Sequence, residues 1–198
     1  MKISVMKSRI FLTLLGVLAL GGVRAQTRSN LSDKWSVVIH GNSNLHAWEE
    51  TVGKVYCTSE IYRNADGSFR FNSLKLVFDV NSITSTEGSI MNEKTYKALK
   101  AGKYPSIVFT LSQPVPSIPP GHGDGYILAE GQLSIAGVTR PVSVRLRVNE
   151  IGSNELQFEG SQQLNMSDYR VTPPTAMFGM LKVANQLTIA FKSDFLLN

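Results

Sequence analysis

The sequence predicts an all-β fold of eight antiparallel strands with one short helix in a long connection. Three observations carry this expectation. Nearly every stretch after Leu31 alternates apolar and polar side chains, the runs are separated by turns rich in Gly, Pro, Asn and Asp, and only one segment has helical composition. A period of two puts successive side chains on opposite faces, as half-buried strands require.

Residues 35–41 (WSVVIHG) read as the first strand. Residues 45–62 hold the second, with Val55, Cys57, Ser59 and Ile61 on one face. The third, 68–80 (SFRFNSLKLVFDV), opens at the turn Asn64-Ala65-Asp66-Gly67; Leu74, Leu76, Phe78 and Val80 share a face, and Lys75 and Asp79 point away. Residues 104–111 form the fourth, with Ile107, Phe109 and Leu111 together.

The stretch 129–148 (AEGQLSIAGVTRPVSVRLRV) supplies the fifth and sixth. Leu133 and Ile135 lead into Gly137, which tolerates backbone angles costly for other residues. Pro141 starts the return strand where no ladder donor is needed. Val142, Val144, Leu146 and Val148 then continue the apolar face, while Ser143, Arg145 and Arg147 face water. Residues 155–164 form the seventh strand, with Leu156, Phe158 and Gly160 on one side. Residues 183–195 form the eighth, with Leu187, Ile189, Phe191 and Phe195 together.

The helical segment is 92–101 (NEKTYKALKA), ending at Gly102, a natural C-terminal cap. It lies in a connection of more than twenty residues between the third and fourth strands; connections of that length serve as lids or end caps. Residues 112–125 form a Pro/Gly loop. Eight alternating strands suit a barrel or a sandwich, and periodicity does not choose between them. A closed eight-stranded barrel either fills with side chains or holds one ligand.

Residues 1–25 read as a cleaved secretory signal: Lys2, Lys7 and Arg9 precede an apolar run at 10–20, and Val23-Arg24-Ala25 suits cleavage before Gln26. Residues 26–198 then form one domain, expected in the periplasm. The whole chain carries net charge +5. Four of its 20 basic residues and none of its 15 acidic ones precede Gln26, which leaves 16 against 15, or +1. So balanced a surface gives no footprint for nucleic acid. Cys57 is the only cysteine, so no internal disulfide can form and the core must hold the fold. Cys57 itself reads as a small buried hydrophobe.

Catalytic signatures do not stand out. His40, His46 and His122 are the three histidines, without a compact metal-ligand motif. Ser106 and Ser134 lack a nucleophile-elbow context. No Walker A or dinucleotide fingerprint occurs. Asp168 and Tyr169 read as turn residues. Met177, Phe178 and Met180 cluster after two prolines; such a group either plugs one end of the core or forms an adaptable lip over a lipid site.

KYPSIVFTL (103–111), followed by GQLSIAGVTRPVSV (131–144), resembles the YceI-like polyisoprenoid-binding family. DVNSITSTEG (79–88) is similar to the segment before that family's helical connection, and MFGM (177–180) to a late element. The likeness runs from about Asp33 to Leu197. GNSNLHAWEE (41–50) and SDYRVTPPTAMFGM (167–180) depart from the commoner pattern.

The resemblance implies a lipocalin-like antiparallel β-barrel in the periplasm that holds an isoprenoid inside. It implies no catalytic residue, metal or cofactor beyond the bound lipid. The expected function is a carrier for an amphiphilic polyisoprenoid, a quinone or polyprenyl lipid, with transient membrane contact. The alternative is a ligand-free envelope stress or interaction protein with a packed barrel. Alternation places Leu76, Phe78, Phe109 and Leu133 on the lumen face. It places Val144, Leu146, Phe158 and Phe191 there as well. Met177, Phe178 and Met180 are the expected rim.

Overall fold

A computed structural model describes residues 29–115, 117–119 and 125–197. The expected signal segment, together with His122 and Asp124, lies outside the described residues. All-β character, antiparallel pairing and a single helix are as the sequence predicts, and the sheet curls into a half-barrel.

Among the described residues there are eleven strands, not the expected eight: β1 Ser29–Ser43, β2 Ala47–Val52, β3 Val55–Arg63, β4 Phe69–Asp79, β5 Ile83–Ser85, β6 Ser106–Leu111, β7 Tyr126–Ile135, β8 Val138–Gly152, β9 Glu155–Asn165, β10 Thr175–Ala176 and β11 Leu181–Leu197. The three additions have local causes. The expected second strand breaks at Gly53-Lys54 into β2 and β3. Short β5 follows the turn at Val80–Ser82, where Asp79 Oδ1 accepts from Asn81 N at 2.9 Å. Two-residue β10 pairs with the start of β11. Neither short strand is long enough to show a period of two.

Ten strands follow the order β3-β4-β6-β7-β8-β9-β11-β1-β2-β5. The curl brings β3, one edge of this path, against β1. Asn64 to Gly67 does form the turn into β4: Asp66 Oδ1 accepts from Ser68 N (2.9 Å) and Ser68 Oγ (2.6 Å), and these bonds hold its carboxyl below the usual range.

Strands β7 and β8 meet in a tight two-residue turn, with Ile135 paired to Val138. Both turn residues have positive φ, Ala136 at 49° and Gly137 at 82°. That is the twist a hairpin favours. The return strand begins at Val138, before Pro141. Proline is tolerated there because β8 pairs with β9 only from Leu146 onward.

Helix α1 spans Ser89–Leu99 and ends earlier than expected. Lys100, not Gly102, takes the left-handed cap with φ 56°. Tyr96 Oη donates to Ile83 O (2.7 Å) and Asn92 Oδ1 accepts from Ser85 N (2.7 Å), so both ends of β5 are tied to the helix. No residue of α1 is fully buried; it lies as a half-buried cover across one end of the sheet.

The other end is packed. Phe71, Phe158 and Phe195 meet edge to face, with ring centroids 4.9, 5.5 and 5.8 Å apart, a favourable arrangement for aromatic quadrupoles. Ile61, Phe69, Val115, Ile118 and Leu156 complete this plug. The Pro/Gly loop is part of it: Ile118 exchanges backbone hydrogen bonds with Phe69 at 2.7 and 2.8 Å.

Candidate apolar cavity

Between the aromatic plug and helix α1 the half-barrel is hollow. Its cavity holds about 1200 Å³ of empty space, part of it open to solvent. Along β7 the inward positions run from Ile127 and Ala129 beside the plug to Leu133 and Ile135 beneath the helix. Eight residues at strand rise span about 26 Å. Of the 25 described residues that line it, Gln162 and Ser193 are the polar ones, so burial of apolar surface is the interaction this site offers.

All eight residues placed inward by alternation line this cavity: Leu76, Phe78, Phe109 and Leu133 from β4, β6 and β7, and Val144, Leu146, Phe158 and Phe191 from β8, β9 and β11. Their burial separates two roles. Phe158 is deep in the plug, and Phe109 and Leu133 are buried. Leu76, Phe78, Val144, Leu146 and Phe191 are only half-buried although they face inward. A packed lumen would bury them; an empty one leaves their surface uncovered.

Two lumen phenylalanines sit against glycines of neighbouring strands. A Cβ at Gly131 would lie 2.4 Å from Phe109 Cε2, and one at Gly160 would lie 2.8 Å from Phe191 Cζ. The missing side chains let the rings lie back against the wall.

The expected rim falls elsewhere. Phe178 and Met180 are exposed and do not line the cavity; the Met177 side chain lies outside the described residues. Phe178 has φ 53° and caps a turn on the surface. That corner is tied to the β1–β2 turn by Asn44, whose amide bonds Met180 O and Lys182 N, both at 2.8 Å. It is tied to α1 by Lys94 Nζ, which donates to Thr175 O at 2.9 Å.

A second cavity, of about 630 Å³ including space open to solvent, lies under α1. It shares Ile39, Ile107, Ile135, Leu164 and Ile189 with the first, so the two adjoin across a common wall. Trp48, Glu50, Thr95, Asn165 and Tyr169 also line it. Glu50 is 3% exposed, and Thr95 Oγ1 donates to its Oε1 at 2.5 Å. Burial pushes the Glu50 carboxyl above its ordinary range, with the Thr95 hydrogen bond opposing. The inward role of Glu50 was missed from sequence. The signal was its place between Trp48 and Val52 at inward positions of β2, where an acid breaks the pattern.

The remaining polar candidates do not converge. His40 pairs with Glu49 at 3.3 Å on the outer face, and His46 Nδ1 lies 2.7 Å from Ala47 O. Among the described residues no group of three His, Cys, Asp or Glu could hold a metal ion. Ser134 Oγ is paired with Thr139 Oγ1 at 2.6 Å. Asp168 accepts from Asn165 Nδ2 at 3.2 Å in the turn before Arg170. Cys57 is half-buried, and burial pushes its thiol up to about 11, which keeps it protonated and unreactive at neutral pH.

A curled antiparallel sheet around an apolar cavity defines a β half-barrel protein with a hydrophobic interior. The chain belongs to the YceI-like family: the YceI-like domain matches residues 38–195. Solved structures share the fold. BcnA of Burkholderia cenocepacia is 19% identical, with 83% of this chain and 99% of that chain covered at a TM-score of 0.65. A polyisoprenoid binding domain from Saccharophagus degradans, implicated in plant cell wall breakdown, is 12% identical, with 87% and 99% covered at 0.60. The Campylobacter jejuni YCEI protein is 17% identical, with 74% and 85% covered at 0.55. A search of curated proteins finds no match.

Proposed function

We propose that this protein is a periplasmic carrier or reservoir that holds the chain of an amphiphilic polyisoprenoid, a quinone or polyprenyl lipid, inside its half-barrel. The observation that carries the reading is the apolar cavity, with two polar residues among its 25 described lining residues and inward side chains that remain half-uncovered. Its length of about 26 Å along β7 suits an extended chain rather than a compact solute. Each five-carbon unit buried contributes up to about 4 kcal/mol before ordering costs, so affinity needs no polar anchor. The relation to a polyisoprenoid binding domain of the same fold supports the choice of ligand.

The ligand-free alternative is supported only at the plug, where Phe71, Phe158 and Phe195 are tightly packed. Export rests on the basic, apolar and small-residue sequence of 1–25. Membrane contact is assigned to the corner where Leu45, Phe178 and Met180 are exposed near Lys94 and Lys182, a pairing of apolar and cationic groups suited to an anionic bilayer surface.

The deciding experiment is lipid extraction and mass spectrometry of protein purified from separated periplasmic and cytoplasmic fractions of the native cell, with N-terminal sequencing of the same samples. A co-purified isoprenoid and a chain starting at Gln26 are expected. A lipid-free protein retaining residue 1 in the cytoplasm would overturn both the ligand and the location.

A further inference from the structure

Polar character inside the half-barrel is concentrated at one end. The main cavity is apolar, its far end is closed by the aromatic plug, and its near end adjoins the cavity under α1, with which it shares five wall residues. There Glu50, Thr95 and Asn165 join Trp48 and Tyr169. An amphiphile with its chain in the main cavity therefore has one direction in which its polar end finds partners.

We propose that the cavity under α1 receives the headgroup of the bound isoprenoid, and that Glu50 with Thr95 selects an uncharged oxygen-bearing headgroup (an alcohol, phenol or quinone) over a phosphate or diphosphate. The inference rests on the carrier reading and adds the ligand's orientation and chemical class.

The argument is electrostatic. Among the described residues lining this cavity there is no Lys, Arg or His; Glu50 and Tyr169 are its titratable groups. A phosphate entering it loses its hydration without gaining a cation. Beside an ionised Glu50 it also meets a like charge in a low dielectric. A protonated Glu50 removes that repulsion but supplies no compensating charge. Either state disfavours an anion. The protonated carboxyl both donates and accepts, so it pairs with a carbonyl oxygen or a hydroxyl. Thr95 fixes its orientation. Cationic side chains are present nearby, but on other surfaces: Lys94 is bonded to Thr175 O, and Arg140 Nε to Asp168 O at 3.1 Å.

The test compares farnesol with farnesyl diphosphate, which share a tail and differ in the headgroup. Binding is measured by equilibrium dialysis; Trp48 lines the headgroup cavity, and a Trp35→Phe background makes it the sole tryptophan, so its emission reports where the headgroup sits. Farnesol is expected to bind at least about tenfold tighter than the diphosphate at pH 7 and to change Trp48 emission, matching the discrimination expected of an unpaired buried charge. Glu50→Gln keeps shape and hydrogen bonding and should retain farnesol within about threefold. Glu50→Leu should weaken farnesol about tenfold. Thermal melts of each variant confirm folding.

Diphosphate binding as tight as farnesol would overturn the headgroup selection while leaving the carrier reading intact. An unchanged Trp48 signal on farnesol binding would overturn the orientation alone. Failure of both probes to bind would sink the carrier reading itself.

Discussion

The Trp48 ring occupies the space that a side chain at Gly41 would need: a Cβ there would come within 2.1 Å of Trp48 Cζ2. The two residues are cross-strand partners on β1 and β2, and Trp48 Nε1 donates to Asn42 O at 3.2 Å. Gly41 thus holds one wall of the cavity under α1 open. Gly41→Ala should displace the indole and cost about 1–3 kcal/mol, as overpacking does. Urea denaturation of Gly41→Ala, Trp48→Phe and the double variant checks this. Additive effects would show that the two residues do not compete for space.

Gly137 meets two constraints. Its φ is 82°, and a Cβ would lie 2.4 Å from Tyr104 Cζ. Gly137→Val should lower stability by more than about 1 kcal/mol. An unchanged denaturation midpoint would mean that both the turn and Tyr104 readjust without cost.

Leu146 lines the cavity, while Arg145 faces outward with its guanidinium 3.9 Å from the centroid of the Tyr126 ring. Leu146→Trp should fill the lumen, cut co-purified isoprenoid severalfold and leave the melting temperature nearly unchanged, because the added volume enters empty space. A packed site would instead lose about 1–3 kcal/mol. Arg145→Ala should leave lipid content intact. Melts and lipid content are measured on the same samples.

Glu50 imposes a pH dependence. Its folded-state pKa is raised above 4.5, so the folded protein holds this proton more tightly than the unfolded chain. The associated stability is fully present below about pH 4.5 and is lost as pH rises through the folded pKa. Tyr169, the other titratable group in the cavity, has its pKa raised above 10 by burial and Asp168, against the pull of Arg140, and stays neutral across this window. On the opposite face of β2, Glu49 pairs with His40. Glu50→Gln should flatten this part of the profile and raise the melting temperature at pH 7 relative to pH 4. Parallel profiles for wild type and variant would refute the assignment.

Phe178 is fully exposed, so replacing it touches no core. Phe178→Ser with Met180→Ser should leave the melt within about 0.5 kcal/mol of wild type. The pair should reduce sedimentation with phosphatidylglycerol vesicles severalfold, and little with phosphatidylcholine vesicles. Equal sedimentation of variant and wild type would remove this corner from membrane contact.

Much of the site's wall was legible in the sequence. Alternation assigns a side chain to one face from its own strand alone, and the face it gives Leu76, Phe109, Leu146 and Phe191 is the one that lines the cavity. The positive φ at Gly137 was legible for the same local reason. The division of 45–62 into β2 and β3 was not: the inward positions shift phase across Gly53-Lys54, from Trp48 and Val52 to Val55 and Cys57, and the acid at Glu50 masks the pattern of the first half. Nor was the surface position of Phe178, where composition suggests burial but the chain turns outward.

Sequence by itself determined the strand faces, the antiparallel all-β class and the greasy character of the interior, because each depends on neighbours one or two residues apart. Tertiary structure decided three further things: that the interior is hollow, that Phe71, Phe158 and Phe195 close one end, and that Glu50 meets Thr95 at the other. The physical reason is separation along the chain. Whether inward side chains fill a lumen depends on the curl of the whole sheet, and the Glu50–Thr95 contact joins residues 45 positions apart on a strand and a helix that only the folded sheet brings together.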